Sequence, residues 1–458
     1  MKYSEYQKEI FREVLLGKSN VAVISRAGVG KTATILESFK YTPKNSTTIA
    51  IAFNRHIAKE LKEKNKTKAD VYTFHSLGLK AIGQKFGDIK VDAEKVTNIL
   101  FKILERKNYS MIGDFKKAVS IAKVSLQDSP DKIYDFLDYY NIDCLPFTKE
   151  EFAKIVIQVL RECKNLKNVV DFDDMIWFPF VYDLPLQKYD NIFIDECQDL
   201  NASQLNMSLK LKKENSRIFM FLDDKQAIYS FRCANIKYIM SFIDRIDSKR
   251  MSLPMTYRCP KKVVEFVKKY VDDYIAFEEN PEGNIIEIDE SDLFDNIKDD
   301  AVILSRFNAP LMELYFKLIK NKMPANIKGK DIGENLLSFI YKYKSKTIKA
   351  TINKIEKQKV SLINSNNLDQ LDKIDLALLV LKEVNNFSEL RDLIKKVFTE
   401  VEDKNKILLS TVHSFKGGER NNVYVLERTL IHSENQEEKN INYVAYTRTK
   451  SNLYLVKG

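Results

Sequence analysis

The chain has 458 residues, 44% of them hydrophobic and 30% charged, enough for two to four domains with sizeable cores. Lys and Arg outnumber Asp and Glu by 74 to 64, a formal net charge of +10 that suits a polyanionic partner. Five scattered cysteines without CxxC spacing and four dispersed histidines exclude a disulfide framework, a zinc site and an iron–sulfur cluster, and no apolar run is long enough to span a membrane.

The polar start, MKYSEYQKEIF, predicts no signal peptide and a reducing, cytoplasmic compartment. NVAVIS (20–25) reads as a buried strand and RAGVGKT (26–32) as the turn that follows it. In such a turn Ala27, Gly28, Val29 and Gly30 present backbone N–H groups to a phosphate, Lys31 reaches the β- and γ-phosphates, and Thr32 offers a hydroxyl to Mg²⁺. Ser25 stands where the strict GxxxxGK[ST] pattern has its first glycine. TATILESF is helical, STTIAIAF (46–53) a second strand, NRHIAKELKEK a second helix and VYTF (71–74) a third strand. This βαβ rhythm predicts a parallel sheet with ligands at the carboxyl ends of its strands.

From 91 to 165 the apolar spacing turns helical, as in VTNILFKILERK and EFAKIVIQVLREC. Strands resume with NIFIDE (191–196) and RIFMFLDD (217–224). Asp195 and Glu196 leave an apolar run, so they emerge at a sheet edge. Beside a Lys–Thr phosphate loop, Asp195 is placed to hold Mg²⁺, Glu196 to polarise water, and Gln198 to couple the site to whatever lies across the cleft. A second sheet begins at AVILSRF (301–307) and ends with ILLSTV (407–412), NVYVL (422–426) and LYLV (453–456). Residues 346–404 between them are helical and studded with lysine.

Eight segments in order carry a resemblance: YSEYQKEI, AFNRHIAKEL, VYTFHSLG, VVDFDDMI, FLDDKQAIYSFRCA, MTYRCP, STVHSFKGGE and EEKNINYVAYTRTK. With the phosphate loop and the DECQD box, the chain resembles a superfamily 1 helicase of the UvrD/Rep/PcrA type. The resemblance implies an α/β fold with two RecA-like parallel-sheet domains of the P-loop NTPase kind, each with a mainly helical insertion. Domain 1A would take 1–90 and 166–250, insertion 1B 91–165, domain 2A 251–345 and 405–458, and insertion 2B 346–404.

The resemblance also implies roles. Gln7 reads adenine, Tyr257 packs on it and Glu419 joins the nucleotide site, while Gln226 senses the γ-phosphate and Arg258 and Arg448 neutralise it from the second domain. Asn54, Thr73, His75, Phe172, Tyr229, Phe231, Arg232 and His413 contact a single strand. Phe172 reads equally as a core aromatic. Phe231 replaces the usual tryptophan, Leu222 and Lys225 alter the GDDDQ box, and insertion 2B is short. The expected activity is ATP-dependent unwinding of DNA by movement along single-stranded DNA, 3′→5′ by the DECQD spelling. A translocase that strips proteins from the strand is the alternative. ATP and Mg²⁺ are the expected cofactors; single strands and single/double-strand junctions are the expected partners.

Overall fold

The computed structural model describes residues 3–140, 142–229, 235–298, 300–343, 345–362, 367–399, 403 and 406–458. It divides into two compact units, Met1–Pro254 and Met255–Gly458.

The first unit is built on β1 (Asn20–Ser25), β2 (Thr48–Ile51), β3 (Asp70–Tyr72), the short β4 (Lys90–Val91) and β5 (Val169–Val170), then β6 (Tyr189–Ile194), β7 (Lys212–Leu222) and β8 (Ser248–Leu253). Six of them form a parallel sheet in the order β3-β2-β6-β7-β1-β8, while β4 and β5 pair separately. Because neighbouring residues of a strand point to opposite faces, both faces must be covered. Ala22, Ile49, Ile192 and Met220 pack on one side with Leu205 and Phe242. Val21, Ala50, Phe193 and Phe219 pack on the other with Ile10, Ile35 and Leu61. The chain returns to pair β7 and β8 on either side of β1, so the carboxyl ends of β6, β7 and β1 lie side by side.

Four helices, Lys95–Ile103, Ile112–Ser125, Pro130–Tyr139 and Lys149–Asn165, lie between β4 and β5. They share a core of their own with the helix Phe172–Val181, centred on Phe115, Phe152, Val156 and Phe178.

The second unit carries β9 (Met255–Thr256) and β10 (Ile275–Ala276), then β11 (Asn284–Asp289), β12 (Ala301–Ser305), β13 (Ala325–Lys328), β14 (Phe398–Thr399), β15 (Ile407–Thr411), β16 (Arg420–Leu426) and β17 (Thr449–Lys457). The last seven form a parallel sheet in the order β11-β17-β16-β12-β15-β13-β14. Between β13 and β14 run the helices Lys330–Tyr341, Ile348–Leu362, Leu368–Lys382 and Phe387–Val397. The helical stretch therefore begins at Lys330, ahead of the expected 346, because Leu336 and Ile340 already bury one face of the first helix. Ile374, Leu381 and Leu390 join Ile303, Leu409 and Tyr424 in one hydrophobic cluster, so these helices cover the sheet rather than enclose a separate core.

The third predicted strand is shorter than its apolar run. β3 stops at Tyr72 because Thr73 turns to cap a helix, Phe74–Phe86, and Phe74 enters the core from that helix. Among the described residues, no helix is long and apolar enough to cross a membrane.

Candidate functional site

The phosphate loop leaves β1 as its spacing predicts. Gly28 and Gly30 adopt φ of 69° and 77°, a left-handed geometry that only glycine takes without strain. Gly30 caps the helix Lys31–Ser38, so the loop's N–H groups and the positive end of the helix converge where Lys31 and Thr32 begin it. Ala27 and Val29 point inward and are buried. Ser25, in place of the first glycine, donates its hydroxyl to the Leu222 carbonyl at 2.7 Å and ties β1 to β7.

Three neighbouring strand ends then meet. Lys31 Nζ lies 2.9 Å from Glu196 Oε1, just past β6. Glu196 sits at φ 51°, and its backbone N–H donates to Asp195 at 2.9 Å. The Gln198 amide donates to Glu196, and its oxygen accepts the Asp223 N–H at 3.0 Å. Asp223 in turn accepts from the Gln226 amide just past β7. One polar network thus joins Lys31, Glu196, Gln198, Asp223 and Gln226. Gln198 is its coupler, but toward the β7 turn of the same unit.

The electrostatics match an anion-and-cation site. Burial, with Glu196's charge beside it, pushes Asp195 up to about 7. Burial pushes Asp223 up to about 6, against the pull of Lys31 and Arg26. Burial opposes the charge of Lys31, yet Glu196, Asp195 and Asp223 raise its pKa overall. The donor set suits a magnesium–triphosphate: a hydroxyl, a carboxylate and an ammonium around a glycine turn.

Arg26 was not singled out by sequence reasoning. Its Nη1 lies 2.6 Å from Asp224 and 3.7 Å from Asp223, binding the phosphate loop to the Gln226 turn. Its place inside the loop was visible in the sequence; its partners, about two hundred residues away, were not. Gln7 belongs to a capping box with Ser4, is buried, and donates its amide to Thr34 Oγ1 at 2.9 Å in the helix behind the loop.

The next strand ends along the same edge, β2 and β3, open into a cleft of 880 Å³. Asn54, Thr73, His75 and Phe172 all line it. Phe172 is 58% exposed, which removes the core-aromatic alternative. Phe53, missed in the sequence beside Asn54, also lines the cleft and stacks on Tyr229 with ring centroids 6.4 Å apart. Asn54 and Thr73 cap the helices Arg55–Lys64 and Phe74–Phe86. Burial lowers the His75 pKa, which keeps its imidazole neutral. Lys117, Ser120 and Asp173 complete the wall. Phe231 and Arg232 lie outside the described residues.

In the second unit, Arg258 follows β9 and donates to Glu419 at 2.6 Å. Arg448 is buried beneath the start of β17, its Nε donating to the Val444 carbonyl at 2.9 Å. Burial, then the nearby Arg258 charge, lowers Arg448 to about 10. Glu419 and Arg448 precede β16 and β17, whose first residues pair in register. Three residues far apart in sequence thus gather at one sheet edge. Tyr257 packs on Phe277 at 5.0 Å. His413 follows β15 on the opposite edge, in a short helix capped by Thr411.

A family model of the UvrD/REP helicase N-terminal domain matches residues 6–247, and one of the UvrD-like helicase C-terminal domain matches 406–456. A "Probable DNA helicase II homolog" of Mycoplasma genitalium is 23% identical over 358 residues, 70% of this chain and 49% of that protein. An "ATP-dependent DNA helicase Rep" of Buchnera aphidicola is 22% identical over 319 residues, 60% of this chain and 44% of that protein. An "ATP-dependent DNA helicase PcrA" of Staphylococcus aureus is 24% identical over 287 residues, 54% of this chain and 37% of that protein. The chain spans about half the length of the curated relatives it matches. With its parallel sheets, its glycine-turned phosphate loop and a family match over more than half its length, the chain belongs to the UvrD/Rep helicase family.

Proposed function

We propose that the protein is an ATP-dependent DNA helicase that moves along single-stranded DNA, 3′→5′, and opens duplexes at single/double-strand junctions. One observation carries this reading. The Lys31–Glu196–Gln198–Asp223–Gln226 network and the strand-sized cleft occupy adjacent strand ends of one parallel sheet. The segment after Gln226 leads within three residues to Tyr229, stacked at the cleft. A change at the phosphate therefore has a short path to the strand.

Lys31 would hold the terminal phosphates, and Thr32 and Asp195 would hold Mg²⁺, which when bound neutralises phosphate charge. Glu196 would then release Lys31 and orient water, while Gln226 senses the γ-phosphate. Gln7 and Tyr257 would flank the adenine. Arg258 and Arg448, held by Glu419 and Val444, would neutralise the transferring group from the second unit. Turnover then requires both units: domain 1A in Met1–Pro254, with 91–165 as insertion 1B, and domain 2A in Met255–Gly458, with the helices from Lys330 to Val397 as insertion 2B.

In the cleft, bases would stack on Phe172, Phe53 and Tyr229, while Asn54, Thr73 and His75 line the path; Phe231, Arg232 and His413 extend it. ATP turnover with and without single-stranded DNA, alongside unwinding of duplexes with 3′ or 5′ tails, tests the proposal. Strand-stimulated turnover with opening of only the 3′-tailed duplex is expected; unwinding from the 5′ tail alone would reverse the polarity.

A second reading keeps the motor and drops unwinding: a translocase that strips proteins from the strand. It is favoured by the second unit's helices, which share the sheet's core instead of forming a lobe. Protein displacement without duplex opening would select it.

A further inference from the structure

Directly behind the cleft lies a buried four-charge network that the motor chemistry leaves unused. Lys95 Nζ is 2.6 Å from Asp174 Oδ2, and Lys123 Nζ is 2.6 Å from Asp171 Oδ2 and 2.8 Å from Asp174 Oδ1. All four side chains are buried. Lys95 also donates to the Cys163 carbonyl at 2.9 Å and sits 4.8 Å from the Phe178 ring, and Lys123 sits 5.6 Å from Trp177. Cys163 Sγ and the two carboxylates lie within 4.8 Å of one another, the spacing of a metal site. Two ammonium groups already balance that charge, so a cation has no electrostatic reason to enter.

The placement of the four residues is informative. Asp171 and Asp174 form the capping box of the helix Phe172–Val181: Asp171 accepts the Asp174 N–H at 2.8 Å, and Asp174 accepts the Asp171 N–H at 3.1 Å. That turn presents Phe172 and Asp173 to the cleft. Lys123 belongs to the helix Ile112–Ser125, which supplies the facing wall through Lys117, Ser120, Ile121 and Val124. Each carboxylate therefore does two jobs. It fixes the first turn of one wall and anchors a lysine of the helical insertion.

We propose that Lys123 and Lys95 are positioning residues for strand binding: Lys123 clamps the two walls of the cleft at a fixed separation, Lys95 fixes Asp174 from behind, and together they hold Phe172 as a preformed stacking platform. Buried ion networks add little net stability but penalise every arrangement that leaves a charge unpaired, so they select one geometry. An exposed aromatic held in that way binds a base without first losing its own conformational freedom. The proposal rests on the reading of the cleft as the strand path.

Binding of a fluorescent oligo(dT), with strand-free ATP turnover as the folding control, separates the two ideas. Phe172→Ala should weaken binding about tenfold, the loss of one base stack; unchanged affinity would remove the cleft reading itself. The neutral variant Lys95→Met/Lys123→Met/Asp171→Asn/Asp174→Asn keeps Asn as a helix cap. It should retain basal turnover within about twofold, lose about tenfold in strand affinity, and lose no more when Phe172→Ala is added. Wild-type affinity, or losses that simply add, would overturn the clamp while leaving the cleft intact. Should that variant fail to fold, Lys123→Arg keeps the charge and changes the span. A several-fold loss of affinity at normal basal turnover is expected, and full affinity would overturn the clamp.

Discussion

Lys31 Nζ lies 2.9 Å from Glu196 Oε1, so the two side chains balance each other's charge. Lys31→Ala should abolish ATP turnover while the chain still folds, because it removes the phosphate's counter-charge and leaves Glu196 partly exposed to water. Turnover assays with a thermal melt as control check this. Arg258→Ala or Arg448→Ala should keep nucleotide binding and cut single-turnover hydrolysis by ~10³ or more. In the cleft, burial and the charge of Asp171 push Asp173 up to about 6. Phosphates on the proposed strand path would raise it further, so binding would take up a proton and should tighten as pH falls toward about 6, levelling off below it. His75, whose pKa burial lowers, adds a dependence of the same sign only at the acidic end. Oligonucleotide titrations across this range should therefore flatten in Asp173→Asn.

Several helices of the fold start with the same local device, which apolar spacing alone does not reveal. Ser4/Gln7, Thr73/Ser76, Thr148/Glu151, Asp171/Asp174 and Asn201/Gln204 are all reciprocal capping boxes. Thr148 lies on the exposed start of Lys149–Asn165, away from the cleft, so Thr148→Ala should cost about 0.5–2 kcal/mol in urea unfolding and leave strand affinity unchanged. Thr73 is the opposite case. It was read as the end of a strand and as a strand contact, yet its hydroxyl accepts the Ser76 N–H and begins a helix. The apolar run VYTF could not reveal this, because strand and helix core share the same hydrophobic signature over four residues. Phe172 was ambiguous for a related reason: DFDD is a capping box in which the second residue faces out, and only the fold shows which neighbours use the acids.

For the whole molecule, the proposed motor divides one reaction between two units. Labels placed one on each unit should report a shorter separation with a non-hydrolysable ATP analogue than without it, measured by energy transfer, and Arg258→Ala should reduce that change. An unchanged separation would leave the division of labour without a motion to couple. The sequence by itself determined the family, the phosphate loop and the apolar strands β1, β2, β6, β7, β12, β15, β16 and β17, since glycine turns and apolar runs are local properties written in adjacent residues; β8, β11 and β13, with more polar runs, and the order of strands within each sheet were not legible there. Tertiary structure alone decided that Arg26 binds Asp224, that Asp223 bridges Gln198 and Gln226, and that the helices at 330–397 cover a sheet. It also decided that two lysines of an insertion stand behind Phe172. Those are long-range pairings of charges and amides, and a side chain's partner across tens or hundreds of residues is fixed only when the parallel sheets close and water is driven from between them.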